Sequence, residues 1–234
     1  MDMDHNKQRQ LWENEHKQPF VLLQMDKKEV SSGIKRFLSW LEARNHKNNL
    51  TGLEMGCGKG RNSIGLAKQS IKMAAFDFSK NAITEAKKRA EESGVENSVN
   101  FIVQDATIKW PFKSDSFDLA LDVFASVDIE SFEGRSFARD EFKRVLKKGG
   151  FLLVYTLSTD DEFHKEMLEK HPAKEKNSFI HPTNGKFEKV FDREELLNFY
   201  KDFRIMEEQR IEKETEFFGE KYSCKHFWLV LQKI

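Results

Sequence analysis

The chain has 234 residues, with Lys plus Arg and Asp plus Glu balanced at 39 each. Its length suits one well-buried α/β domain with appendages, and its charge supplies no global field for nucleic acid or an anionic membrane. Two cysteines far apart, Cys57 and Cys224, fit neither a disulfide framework nor a metal-ligand spacing and point to a reducing, cytoplasmic compartment. No apolar run approaches the roughly 18 residues of a membrane span, and the start MDMDHNKQRQ lacks the apolar core of a signal peptide.

Residues 1–48 read as a charged helical lead-in, with Ile34, Phe37, Leu38 and Leu41 spaced for one helix face. From 49 to 157 short apolar runs alternate with helical stretches: LTGLEM then 61–70, KMAAFDF then 80–93, VNFIVQDA then a loop, FDLALDVFAS then 131–147, and finally FLLVYTL. That pitch predicts a parallel sheet covered on both faces. Ser79 is placed to cap the second helix, and LKKGG to end the helix before FLLVYTL. Residues 158–190 turn polar and are expected to form an insertion with some helix. Residues 191–234 supply a helix started by Asp192 and Glu195, then two strands, FRIMEEQRI and KHFWLVLQKI.

The stretch LEMGCGKGRN places Gly56, Gly58 and Gly60 between the first strand and the first helix. Such a turn lets backbone approach a ligand at a helix N-terminus. A dinucleotide fingerprint needs its third glycine at the sixth position, which here is Arg61. Glu54 beside the turn would repel a pyrophosphate and attract an ammonium or sulfonium group.

E-x-G-x-G-x-G after the first strand, FDFS at the second, QDA after the third, FDLALDVFASVDI at the fourth and RVLKKGGFLLVYT at the fifth together resemble the class I S-adenosylmethionine-dependent methyltransferases, closely over about residues 50–158. The resemblance implies a Rossmann-like, doubly wound sheet of about seven strands, mostly parallel with the last strand antiparallel, preceded by a helical segment and forming one methyltransferase domain. It also implies S-adenosyl-L-methionine as cofactor. Glu54 matches the acid that attends the methionine amino group, while Gly56, Cys57, Gly58 and Gly60 match the turn. Asp77, at the end of the second strand, is positioned to accept the ribose hydroxyls, with Phe78 beside it as a candidate to pack on adenine. Asp105 and Ala106 match the adenine-reading pair. Asp122, Val123 and Phe124 match the stretch that passes beneath the methionine, with a backbone contact expected from Asp122.

The acceptor side is poorly specified. Asp128, His181, Tyr155 and Arg135 are candidates read more simply as surface or loop residues, and Asp115 and Asp118 read as turn residues. His164, His171 and His181 lack ligand spacing, so no metal is expected. Trp12, Pro19 and Phe20, with the 158–190 segment and Phe179, Phe187, Phe217 and Phe218, are candidates to cover the site. The fourth-strand sequence DVFA lacks the Pro-Pro-aromatic signature of amino-group methylation, which favours a small-molecule acceptor over nucleic acid. Methyl transfer by in-line displacement is the leading expectation. A non-catalytic S-adenosylmethionine sensor or partner subunit, and a dinucleotide oxidoreductase, stand as alternatives. The sequence leaves the acceptor and the oligomeric state open.

Overall fold

The computed structural model describes residues 5–17, 27–46, 49–217 and 220–234. Helices α1 (His5–Lys17) and α2 (Ser32–Ala43) precede the sheet. The chain then runs β1 (Thr51–Met55), α3 (Arg61–Ala67), β2 (Lys72–Asp77), α4 (Lys80–Glu92), β3 (Val99–Val103), β4 (Phe117–Val123), α5 (Phe132–Val145) and β5 (Leu146–Leu157). Next come α6 (Glu162–Lys170), a two-stranded hairpin of β6 (Ser178–Ile180) and β7 (Phe187–Lys189), α7 (Arg193–Phe199), β8 (Phe203–Phe217) and β9 (Glu220–Lys233).

Seven strands form one sheet in the order β3-β2-β1-β4-β5-β9-β8. β1 to β5 are parallel, while β9 lies antiparallel between β5 and β8. This is the expected Rossmann-like arrangement. β1 pairs with β2 on one side and β4 on the other, setting Glu54 across from Ala75 and Leu121, and Met55 across from Asp122. The strand order reverses there, which opens a crevice at the carboxyl ends of β1 and β4.

Both faces of the sheet are buried, which explains the near-continuous apolar strands. On one face Ile34, Phe37 and Leu41 of α2 pack with Ile64, Ala86, Leu121, Leu153 and Trp228. On the other, Phe142, Val145 and Leu196 pack with Leu53, Phe76, Trp110 and Leu229. Ser79 caps α4 by accepting the Ala82 N–H at 3.0 Å, and Asp192 caps α7 by accepting the Glu195 N–H at 2.8 Å.

Three local expectations change. LKKGG does not end α5: the helix stops at Val145, and fully buried Leu146 opens β5 by pairing with Phe117. Burial and ladder pairing of Leu146 outweigh the terminal signal of the lysines and glycines. Asp118 is not a turn residue but a member of β4, where it accepts from the Thr51 N–H at 2.9 Å and from Lys147 at 2.8 Å, tying β1, β4 and β5 together. The polar segment after β5 carries its own small core of Phe163, Met167, Phe179 and Val190. Its apolar residues are sparse in sequence but converge from α6 and the hairpin.

Candidate active site

The turn from Gly56 to Gly60 runs through left-handed backbone at all three glycines. Gly58, at φ 51°, needs glycine for its conformation rather than for room, because a Cβ there would meet only His16 Cε1, at 3.5 Å. Gly60 is different: an added Cβ would lie 2.8 Å from the Phe101 ring. Its absence lets the turn settle onto β3 and α4. Cys57 is buried within this turn, where burial pushes its thiol well above the ordinary range.

Two buried carboxylates flank the turn. Asp77 accepts the Gly58 N–H through Oδ2 and the Ser79 N–H through Oδ1, each at 2.9 Å. Burial pushes its pKa up to about 6, and Glu13 adds to the rise. Each carboxylate oxygen has a second acceptor site, so two further hydrogen bonds are possible. Glu54 is 2% exposed, so it is not a solvated strand-end charge. It accepts from Asn62 Nδ2 at 2.9 Å, from the Ser63 N–H at 3.1 Å and from the Ser63 hydroxyl, in the first turn of α3. Burial raises its pKa to about 7.

The remaining expected donor-site residues lie on neighbouring connections. Asp105 follows β3 and accepts from the Thr107 N–H at 2.8 Å, which fixes the turn containing Ala106. The Ala106 carbonyl in turn accepts from Trp110 Nε1 at 3.0 Å. Asp122 is buried at the end of β4 and spends its carboxylate on its own loop, accepting from the Ser126 N–H at 3.0 Å and from Tyr200 Oη at 3.3 Å. Burial raises its pKa. Val123 is half-buried, and Phe124, at φ 55°, sets its ring 4.4 Å from Tyr155 and 5.0 Å from His226.

Helix α1 lies across this group. Glu13 accepts from the Ser79 hydroxyl and from Asn81 Nδ2, the latter at 2.7 Å, and the Arg9 guanidinium sits 6.0 Å from the Phe78 ring. Gln8 donates to the Gly185 carbonyl at 3.4 Å and accepts from the Phe187 N–H at 3.3 Å. Lys186 Nζ lies 3.2 Å from Glu15 and 3.6 Å from the Trp12 ring centroid. The helix thereby joins the glycine turn, the start of α4 and the β6–β7 hairpin. Pro19, Phe20 and Phe218 lie outside the described residues, as does the Phe217 side chain.

The acceptor-side candidates are not surface residues. Tyr155 and Arg135 are each 1% exposed and His181 3%, while Asp128 is half-buried. Arg135 donates to the Ile129 carbonyl at 2.6 Å and pairs with Glu175, linking α5 to the segment after α6. Burial, reinforced by Lys186, pushes His181 down to about 4. Burial and repulsion from Glu188 hold Asp128 well above the usual carboxylate range. Phe179 and Phe187 are core residues. The sequence reading missed Tyr200, Lys186 and His226. For His226 a signal existed: Cys224, His226 and Trp228 alternate along β9 and share one face.

A methyltransferase domain family matches residues 46–214, and the chain belongs to it. An uncharacterized protein of Haemophilus influenzae is 30% identical over 151 residues, covering 63% of this chain. The chain spans 59% of the length of that relative. An S-adenosylmethionine-dependent methyltransferase of Methanosarcina mazei superposes with a TM-score of 0.73 at 24% identity, covering 88% of this chain and 99% of its own. The 1,6-didemethyltoxoflavin-N1-methyltransferase of Burkholderia thailandensis, solved with 1,6-didemethyltoxoflavin and S-adenosylhomocysteine bound, superposes with a TM-score of 0.70 at 13% identity. That match covers 97% of this chain and 88% of the other. Among the described residues no helix is long and apolar enough to cross a membrane.

Proposed function

We propose that the chain binds S-adenosyl-L-methionine at the Gly56–Gly60 turn and transfers its methyl group to a small-molecule acceptor. The observation that carries this reading is the pair of buried carboxylates, Glu54 and Asp77, on either side of a left-handed turn at the point where the strand order reverses. Two acids here disfavour a pyrophosphate and suit a ligand with a cationic methionine end and a ribose. Trp12 Nε1, on α1, is buried without a hydrogen-bond acceptor, so the cover of the site has a donor to offer a ligand.

In this reading Asp77 takes the ribose hydroxyls while holding Gly58, Glu54 faces the methionine amino group, and the Asp105–Ala106 turn meets adenine. Asp122 shapes the loop from which Val123 and Phe124 pass beneath the methionine. The cofactor supplies an already activated methyl group. The protein's contribution is then alignment of the acceptor and exclusion of water, with α1 as the cover. A general base is required only for an acceptor that must lose a proton early. The closeness of α1 to the 185–187 connection supports a small acceptor, as does the small heterocycle named for the Burkholderia relative.

The test is calorimetric titration with S-adenosylhomocysteine and NAD, followed by transfer of labelled methyl to a panel of metabolite acceptors. Tight S-adenosylhomocysteine binding with transfer supports the reading. Binding without transfer to any acceptor favours a sensor, and tighter binding of NAD overturns the site assignment.

A further inference from the structure

We propose that Asp161, Cys224 and His226 form a binding site for a divalent ion of the zinc class. One ligand atom from each lies within 4.8 Å of the other two, and all three residues are buried. The donors come from two elements that the fold locks together. Asp161 caps α6 by accepting the His164 N–H at 3.1 Å and accepts the Lys225 N–H of β9 at 2.9 Å. Cys224 and His226 sit two residues apart on β9, hence on the same face. The sequence spacing hid this group because its third member is more than sixty positions away.

The chemistry of the donors selects the ion. One thiolate, one imidazole and one carboxylate suit zinc, whereas magnesium and calcium prefer all-oxygen sites. Bond lengths of about 2.0–2.3 Å place tetrahedral donors roughly 3.3–3.7 Å apart. The observed cluster reaches that geometry by closing about 1 Å, a side-chain adjustment. The Tyr155 hydroxyl lies 3.3 Å from His226 Nδ1 and would orient the imidazole, as outer-shell partners of zinc ligands commonly do. Beside the cluster His164 is 3% exposed, its Nδ1 3.2 Å from Asp161 Oδ1 and its Nε2 4.0 Å from Glu188, so the buried imidazole braces the Asp161 carboxylate. Binding of the ion displaces the Cys224 thiol proton to solvent. The Phe124 ring, 5.0 Å from His226, sets the ion beside the loop that follows β4. Metal binding itself requires no methyl-transfer activity, so the two proposals fail separately.

The experiment uses the full chain, stripped by a chelator and titrated with Co2+ alone, followed through thiolate-to-cobalt charge-transfer absorption and then by Zn2+ competition. The expected result is one equivalent bound, with the band lost in Cys224→Ser and kept in Cys57→Ser. Tyr155→Phe is expected to weaken the ion by about 10- to 100-fold, with the far-UV circular dichroism unchanged. Absence of the band at one equivalent in the unaltered protein overturns the proposal. So does a band that survives Cys224→Ser, or that disappears in a Cys57→Ser variant whose far-UV circular dichroism is unchanged, and the titration of the unaltered protein decides the matter if either variant fails to fold.

Discussion

Glu54→Gln isolates the electrostatic cost of the donor site. Glu54 is buried, and its pKa rises from 4.5 to about 7 because burial disfavours its charge more than the hydrogen bonds from Ser63 and Asn62 favour it. The folded, ligand-free protein therefore holds the Glu54 proton more tightly than the unfolded chain does. Between pH 4.5 and about 7 the native state binds more protons, so stability falls as pH rises through that window and levels off above it. A rise of that size corresponds to about 3 kcal/mol. Glutamine keeps the size and cannot ionise, and Asn62 and Ser63 can reorient toward its amide. Urea unfolding at pH 4.5, 6 and 7.5 should show the variant gaining about 3 kcal/mol relative to the parent as pH rises. Subtracting the variant removes the other titrating groups, including Asp77, to the extent that they act independently. Saturating S-adenosylhomocysteine, whose ammonium is expected at Glu54, should shrink the swing. Parallel pH dependence in the two proteins without ligand would refute the argument.

Asp77→Asn should weaken S-adenosylhomocysteine by about 10- to 100-fold, since the amide has one acceptor oxygen for two backbone donors and loses the charge that strengthens such bonds. Calorimetry on the folded variant that shows unchanged affinity would remove Asp77 from the site. Gly58→Ala should destabilise the protein by about 1–2 kcal/mol through its left-handed backbone alone, measured by urea unfolding; no change would mean that the turn relaxes freely. Hydrogen exchange with S-adenosylhomocysteine should raise protection in α1 as well as at residues 56–60, and protection confined to the turn would remove α1 as the cover.

The fold and the backbone of the proposed donor site were legible for the same reason: both are written in local sequence. Alternating apolar runs, Ser79 and Asp192 at helix starts, and glycines at 56, 58 and 60 each specify backbone within a few residues. The terminal signal in LKKGG misled because Leu146, the ladder partner of Phe117, is claimed by the sheet. The surroundings of the candidate acceptor residues were opaque because they assemble only in the fold. Tyr155 of β5, Phe124 after β4 and His226 of β9 meet through ring contacts of 4.4–5.5 Å. Tyr200 reaches Asp122 across 78 positions of sequence. Burial of Arg135 and His181 was likewise invisible, since such polar residues are ordinarily exposed; Arg135 of α5 is met by Glu175 and Phe187, and His181 sits near Phe163 within the segment after β5.

The attachment of α1 differs from that of α2, and the difference bears on access to the site. α2 contributes Ile34, Phe37, Trp40 and Leu41 to the main core, so lifting it exposes several large apolar side chains at about 1.5–3 kcal/mol each. α1 contributes no residue to any of the three apolar clusters among the described residues. It is fastened by polar contacts, Glu13 to Ser79 and Asn81, Gln8 to Gly185 and Phe187, and Glu15 to Lys186. Water replaces such contacts at a net cost of about 0.5–1.5 kcal/mol apiece, more where a charge is involved. α2 packs on one face of the sheet and α1 lies across the glycine turn, and of the two only α1 can part from its partners without exposing a large core face. If the proposed cofactor sits at the Gly56–Gly60 turn, a chemistry that must exclude water is best closed over by an element held in that way.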